Sequence, residues 1–150
     1  MATISAALEA GKVSPSSSAQ DRIALAGRVL LAAIFVMSGL GKVAAPAATL
    51  AYMKAAGLPL APLGLAGSAL VELGGGVALI LGYRTRVAAA VLAVFALVTT
   101  AIFHSALSDQ NQLIHFFKNV AMAGGLLQVV AFGGGRISLD GRRETVRVVA

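Results

Sequence analysis

Cysteine is absent from the chain, and with it go disulfides, thiolate nucleophiles, Cys-ligated zinc or iron–sulfur centres and any CxxC dithiol relay. Redox chemistry involving this protein therefore does not run through its own sulfur. Charge is scarce as well: Asp, Glu, Lys and Arg make up 12% of the residues, about half the share of an ordinary soluble domain. The 12 Lys and Arg outnumber the 6 Asp and Glu. They lie between and beside apolar runs and never gather into a dense basic patch, so no nucleic-acid partner is expected. No GxxxxGK sequence follows a strand-like run, which removes a phosphate-binding loop of that kind. Two histidines, His104 and His115, are a weak metal signal at span ends, and no metal is assigned. The first twenty residues lack the packed apolar core of a signal peptide and read as a mobile cytoplasmic tail.

Apolar runs are abundant. Hydrophobic residues are 58% of the chain and the mean hydropathy is +0.87. Four stretches are each long enough for a hydrocarbon core of roughly 30 Å: about Ile23 to Gly41, Leu63 to Leu81, Val87 to Phe103 and Ile114 to Phe132. Pro46, Gly57, Pro59 and Pro62 break the first connection, within which Ala47 to Ala56 form a short interfacial helix anchored by Tyr52. The tight turn Tyr83-Arg84-Thr85-Arg86 forces spans two and three into an antiparallel hairpin, and Gly133-Gly134-Gly135 stops the fourth span. The expected fold is all-α, an integral membrane four-helix bundle running up-down-up-down. It occupies residues 21–135, between the flexible tail 1–20 and a basic tail 136–150.

Lys12, Arg22, Arg84, Arg86, Arg136, Arg142, Arg143 and Arg147 fall on one side of this topology, and Lys42 and Lys54 in the connections on the other. The positive-inside rule then puts both termini in the cytoplasm.

Ionisable residues inside the spans are the candidate site, since each is expensive in a bilayer and normally faces the bundle interior. Arg28, Phe35 and Lys42 recur every seven residues on one face of span one. Gly64, Ser68, Glu72 and Gly76 recur every four on span two, a small-residue stripe that admits a neighbouring backbone. Glu72 is expected to face the interior near Arg28 or Lys118, with Gly74-Gly75-Gly76 loosening the helix beside it. A carboxylate among cations suits carrying a proton, orienting an anionic or quinone-like ligand, or anchoring a partner helix. Bland readings stand beside these: a register-fixing ion pair, Arg28 or Lys118 snorkelling to headgroups, interfacial histidines, and Asn119 bonding between helices.

Taken in order, these residues resemble the DoxX family of small four-helix bacterial membrane proteins. The resemblance covers about residues 22 to 140. It rests on Arg28-Val29-Leu30, Phe35-Val36-Met37-Ser38-Gly39-Leu40-Gly41-Lys42, Gly57-Leu58-Pro59, Glu72-Leu73-Gly74-Gly75-Gly76, Leu81-Gly82-Tyr83-Arg84-Thr85-Arg86, His104 and Lys118-Asn119. It implies an inner-membrane component associated with redox enzymes, such as a subunit of a thiosulfate:quinone oxidoreductase or of an oxidative-stress complex. The family's polar positions carry over to Arg28, Lys42, Glu72, Arg86, His104, Lys118 and Asn119. The missing cysteines set the chain apart from dithiol-bearing redox relatives.

The leading expectation is a subunit supporting quinone-linked oxidoreduction. Glu72 is the tentative catalytic carboxylate, for proton handling or ligand orientation, with Arg28, Lys42 and Lys118 as its electrostatic partners and Arg28, Lys42, His104, Lys118 and Asn119 as ligand-binding residues. Quinone is the cofactor compatible with this reading, and whether the chain is an enzyme by itself is left open. The alternatives are a noncatalytic scaffold that recruits soluble redox enzymes through its basic tail, and a small anion transporter. Partners are the lipid bilayer and soluble redox enzymes, and a homo-oligomer is compatible with the sequence.

Overall fold

A computed structural model describes residues 18–143. Among these residues five helices of ten residues or more follow one another: α1 Ser18–Ala44, α2 Pro46–Ala55, α3 Ala61–Leu81, α4 Thr85–Phe103 and α5 Gln110–Phe132. All but α2 are long and apolar enough to cross a membrane. Most of the tail 1–20 lies outside the described residues; Ser18 to Gln20 already belong to α1. The part of the basic tail from residue 144 onward is likewise outside them.

Glycine and proline set the boundaries. Pro46 occupies the first turn of α2, where its missing N–H is not needed. Gly82, at φ +68°, ends α3 in the left-handed conformation that a side chain disfavours, and the Tyr83 N–H closes the motif on the Ala78 carbonyl. Asp109 starts α5, its side chain accepting from the Gln112 N–H at 2.9 Å.

Each long helix spans the bundle in the opposite sense to the one before it. The chain's described ends therefore meet at one end, called here the terminal end, and α2 and the α4–α5 connection cover the loop end. Helix α1 packs chiefly on α3, and α4 on α5; α3 joins the two pairs against α4, while α1 and α5 touch only slightly. Small residues make these approaches close. Gly76 of α3 lies against Val36 and the Ala32 carbonyl of α1, Gly39 of α1 against Leu73 and Glu72, and Gly75 against Leu92. The expected loosening at Gly74 to Gly76 does not occur: α3 is continuous there, with neighbouring helices packed into the space left at Gly75 and Gly76, while Gly74 faces open space.

Large apolar side chains point outward instead, among them Leu30, Met37, Leu63, Leu70, Phe117 and Phe132. An apolar exterior around an alanine-rich interior is what a hydrocarbon solvent favours. Tyr52 of α2 remains half exposed at the loop end and stacks on Phe103 with ring centroids 5.5 Å apart.

Past Gly133 the chain turns back under the bundle and begins a further helical turn at Leu139. Gly134 and Ser138 are buried there. The first residues of the expected basic tail are thus part of the packed structure.

Candidate functional site

Asp21, Arg28 and Phe35 are buried at intervals of seven along α1, and half-buried Lys42 completes the column. The structure assigns its two cations to different neighbourhoods. At the loop end the Lys42 Nζ lies 2.7 Å from Glu72 Oε2 and 2.9 Å from Oε1. It also donates to the Ser38 Oγ at 2.9 Å, and that hydroxyl donates to Glu72 Oε1 at 3.1 Å. Lysine has three N–H donors, and all three are engaged in this triangle. The Glu72 side chain is 6% exposed and that of Lys42 17%, so the carboxylate is sealed while the ammonium keeps an edge open. Gly39 positions the pair: its missing side chain lets α1 settle onto Leu73 and the Cβ of Glu72.

Arg28 belongs to the terminal end. It lies 11 residues before Gly39, which is roughly 16 Å along the helix, so its guanidinium is at another level from the carboxylate. The expectation that Glu72 sits near Arg28 or Lys118 is therefore corrected to Lys42 and Ser38. The stagger of α1 on α3, fixed by the Gly39 and Gly76 contacts, decides which cation is level with Glu72. Arg28 is 1% exposed and its Nη2 donates to the Ile137 carbonyl at 2.6 Å. Its Nε and Nη1 are buried without an acceptor among the described residues.

The returning segment surrounds that guanidinium. Asp140 accepts from the Arg84 N–H at 2.9 Å and from the Thr85 N–H and Oγ–H, each at 2.7 Å, which caps the start of α4. Burial pushes the Asp140 carboxyl up, but the Thr85 and Arg84 donors and the Arg143 charge outweigh it and hold it below the usual 3.8. The Asp140 N–H donates to the Gly82 carbonyl at 3.0 Å, and the Arg136 N–H to Asp21 Oδ1 at 3.2 Å.

The remaining candidates stand apart from the triangle. His104 Nδ1 lies 2.8 Å from Gln112 Oε1, and its ring stacks on His115 at 5.0 Å, which makes a small polar cap on the loop end. Asn119 donates to the His115 carbonyl one turn back in its own helix, at 3.1 Å. Lys118 is exposed, with no hydrogen-bond or ion-pair partner among the described residues. Arg86 is exposed and approaches Gly133. No group of three or more His, Cys, Asp or Glu that could hold a metal occurs among the described residues.

Sequence reasoning missed Ser38, Asp21, Thr85 and Asp140 as members of polar clusters. Ser38 precedes Lys42 by one helical turn, and Asp21 is one further step of the same seven-residue interval, so both were within reach of periodicity. Thr85 and Asp140 are 55 residues apart and carried no local signal.

The DoxX family model matches residues 23–105, and the SURF4 family model matches residues 67–145. The chain is 36% identical over 123 residues to the inner membrane protein YqjF of Escherichia coli (strain K12), covering 81% of this chain and 92% of that protein. It is 31% identical over 130 residues to the inner membrane protein YphA of the same organism, covering 83% and 92%. No solved structure matches.

Proposed function

The chain belongs to the DoxX family, and from that membership and the Lys42–Glu72–Ser38 triangle we propose an inner-membrane subunit that supports quinone-linked oxidoreduction, with Glu72 holding and releasing the proton. The observation that carries this reading is a carboxylate sealed inside a membrane-length helix and bound through both oxygens by one partly open ammonium. A quinone presents carbonyl oxygens, which accept hydrogen bonds. Lys42 and Ser38 supply N–H and O–H donors for such an oxygen once either turns from Glu72. Quinone reduction takes up two electrons and two protons. In this reading the electrons come from a partner oxidoreductase and the carboxylate relays the two protons in turn.

The terminal end faces the cytoplasm in the same proposal. Exposed Arg22, Arg84, Arg86, Arg136, Arg142 and Arg143 gather there, against Lys42, Lys54 and Lys118 toward the loop end. Reporter fusions at Ala150 and between Ser105 and Gln112 should report opposite compartments, and matching compartments would sink the topology. That arginine-rich end also favours a second reading, a scaffold that docks soluble redox enzymes.

Purification in mild detergent followed by mass spectrometry separates the two. A quinone that co-purifies with the wild type and is lost in Glu72→Gln and Lys42→Met, both eluting as folded protein, is the expected result. A preparation that carries no quinone but holds a stoichiometric soluble enzyme, released by replacing Arg136, Arg142 and Arg143, would move the assignment to the scaffold.

A further inference from the structure

Arg28 has five N–H donors and is enclosed, yet its Nη2 bond to the Ile137 carbonyl is the hydrogen bond it makes among the described residues. Orphaned donors on a buried charged group are costly, and the usual remedy, a carboxylate on the guanidinium fork, is close by but used otherwise. Both Asp140 oxygens are taken by Arg84 and Thr85 at the start of α4, and no hydrogen bond joins them to Arg28. The two sets of donors nevertheless line one space. A Cβ at Gly134 would stand 2.8 Å from Thr85 Oγ1 and 3.1 Å from Arg28 Nη1, and one at Gly82 would collide with the same Nη1.

We propose that Arg28 and the first turn of α4 form a binding site for a phosphate-class oxyanion, closed in this structure by the segment from Gly133 to Arg143 with Asp140 as the resident internal anion. The count of oxygens selects the ligand class. A carboxylate has two, and with both turned to α4 the Nε and Nη1 of Arg28 have no acceptor among the described residues. A tetrahedral oxyanion has enough to meet the α4 N–H groups, the Thr85 hydroxyl and the arginine fork together. The closing segment can yield. It begins with Gly133 and Gly135, both at positive φ, and is attached by the bonds to Asp21, Arg28, Gly82, Arg84 and Thr85 and by Arg143 over the Tyr83 ring. Exposed arginines around this end would raise the local concentration of anions. The site is separate from the Glu72 triangle and does not depend on its function.

The absence of cysteine makes the test direct, because Ser138→Cys places a unique thiol on a residue that is 5% exposed in the closed segment. The full chain carrying it is placed in phosphatidylcholine nanodiscs and its maleimide labelling rate measured with and without inorganic phosphate, with chloride at matched ionic strength as control. A second set of nanodiscs contains phosphatidylglycerol. Labelling is expected to accelerate by about tenfold with one of the two probes, as an equilibrium shifted by a ligand that prefers the open state. Acceleration by phosphate identifies a free oxyanion as the source, and acceleration confined to phosphatidylglycerol identifies a lipid headgroup.

Asp140→Asn should raise the basal rate, and Arg28→Lys, which keeps the charge but loses the fork, should abolish the response. If Arg28→Lys does not insert, line broadening of phosphorus resonances by Asp140→Asn protein gives an answer without it. Overturning results are acceleration by chloride alone, a response that persists in Arg28→Lys, or no effect of either probe on both the single-thiol protein and its Asp140→Asn form.

Discussion

Two cations on one face of α1, 14 residues apart, are treated in opposite ways. Lys42 spends all three donors on a carboxylate and a hydroxyl, and the carboxylate accepts from Lys42 through both oxygens and from Ser38 through Oε1. Arg28 is more deeply buried and has a carboxylate in its neighbourhood, yet it holds one backbone carbonyl while that carboxylate serves a helix terminus. The first arrangement is complete and local to one helix pair. The second is assembled from α1, α3, α4 and a segment more than a hundred residues away in sequence. Burial of charge is therefore a poor guide by itself to whether that charge is paired; the loop end is locked, and the terminal end retains hydrogen-bonding capacity.

The comparison is tested most severely by stranding the Glu72 carboxylate. Lys42→Met removes the ammonium from a sealed anion and should lower stability in detergent by about 3 to 5 kcal/mol, the scale for breaking a buried pair. Glu72→Gln is expected to be milder, because a neutral amide still meets Ser38. The double variant should be less damaged than the sum of the singles, with a coupling of about 1 to 3 kcal/mol in a double-mutant cycle read by reversible unfolding. Additivity here would mean the pair contributes nothing specific to α1–α3 packing.

At the terminal end the largest expected loss comes from a methyl group. Gly82→Ala adds a Cβ at φ +68° that meets both the Arg28 Nη1 and Ser138, so strain and overpacking combine to about 2 to 4 kcal/mol. Gly67→Ala, whose Cβ enters open space, is the control and should be close to neutral in thermal unfolding. Equal losses at the two positions would show that the segment below Arg28 is not packed as described.

The legibility of these regions in the sequence differs for a physical reason. Apolar run length, Pro46 and the glycines at 82 and 133 marked the helices to within a few residues, because insertion and helix termination are local properties. The seven-residue interval through Arg28, Phe35 and Lys42 gave the buried face of α1. It could not choose among Arg28, Lys42 and Lys118 as the partner of Glu72, since that depends on the axial stagger of two helices, and the stagger is set by which glycines receive which side chains. The packing of residues 136–143 was invisible to periodicity. A glycine run that ends a helix reads as an exit, and nothing near Asp140 marks Thr85 as its partner. Lys118 and Glu72 were grouped because both are charges within spans, a resemblance of composition that packing does not honour.

A smaller effect is read from the pH dependence of the Asp140 cap. Asp140 is held below the usual 3.8, so the folded state binds its proton less readily than the unfolded chain does. Its contribution is fully present above about pH 4 and is lost as the pH falls through the depressed folded value. Asp140→Asn should reduce stability near neutrality by ~1 kcal/mol, the scale of a helix cap, and flatten the acid limb of the pH profile. An acid limb unchanged by this substitution would assign that limb to other groups.

The smallest expected effect concerns Lys118, the charge that belongs to neither cluster. It lies eight residues past the start of α5, roughly 12 Å along the helix, and is exposed. From that depth a lysine stem can carry its ammonium toward the headgroups of the loop side, leaving the Glu72 carboxylate entirely to Lys42. Lys118→Met removes a charge from a lipid-facing position and should change stability by no more than about 0.5 kcal/mol, a typical surface value. Combined with Glu72→Gln it should be additive within about 0.5 kcal/mol, in contrast to the strong coupling predicted for Lys42. The two cycles, run in the same detergent, form one experiment. Strong coupling through Lys118 would require the α1–α5 side of the bundle to close so that both ammonium groups reach one carboxylate, and the triangle would then be a four-residue cluster.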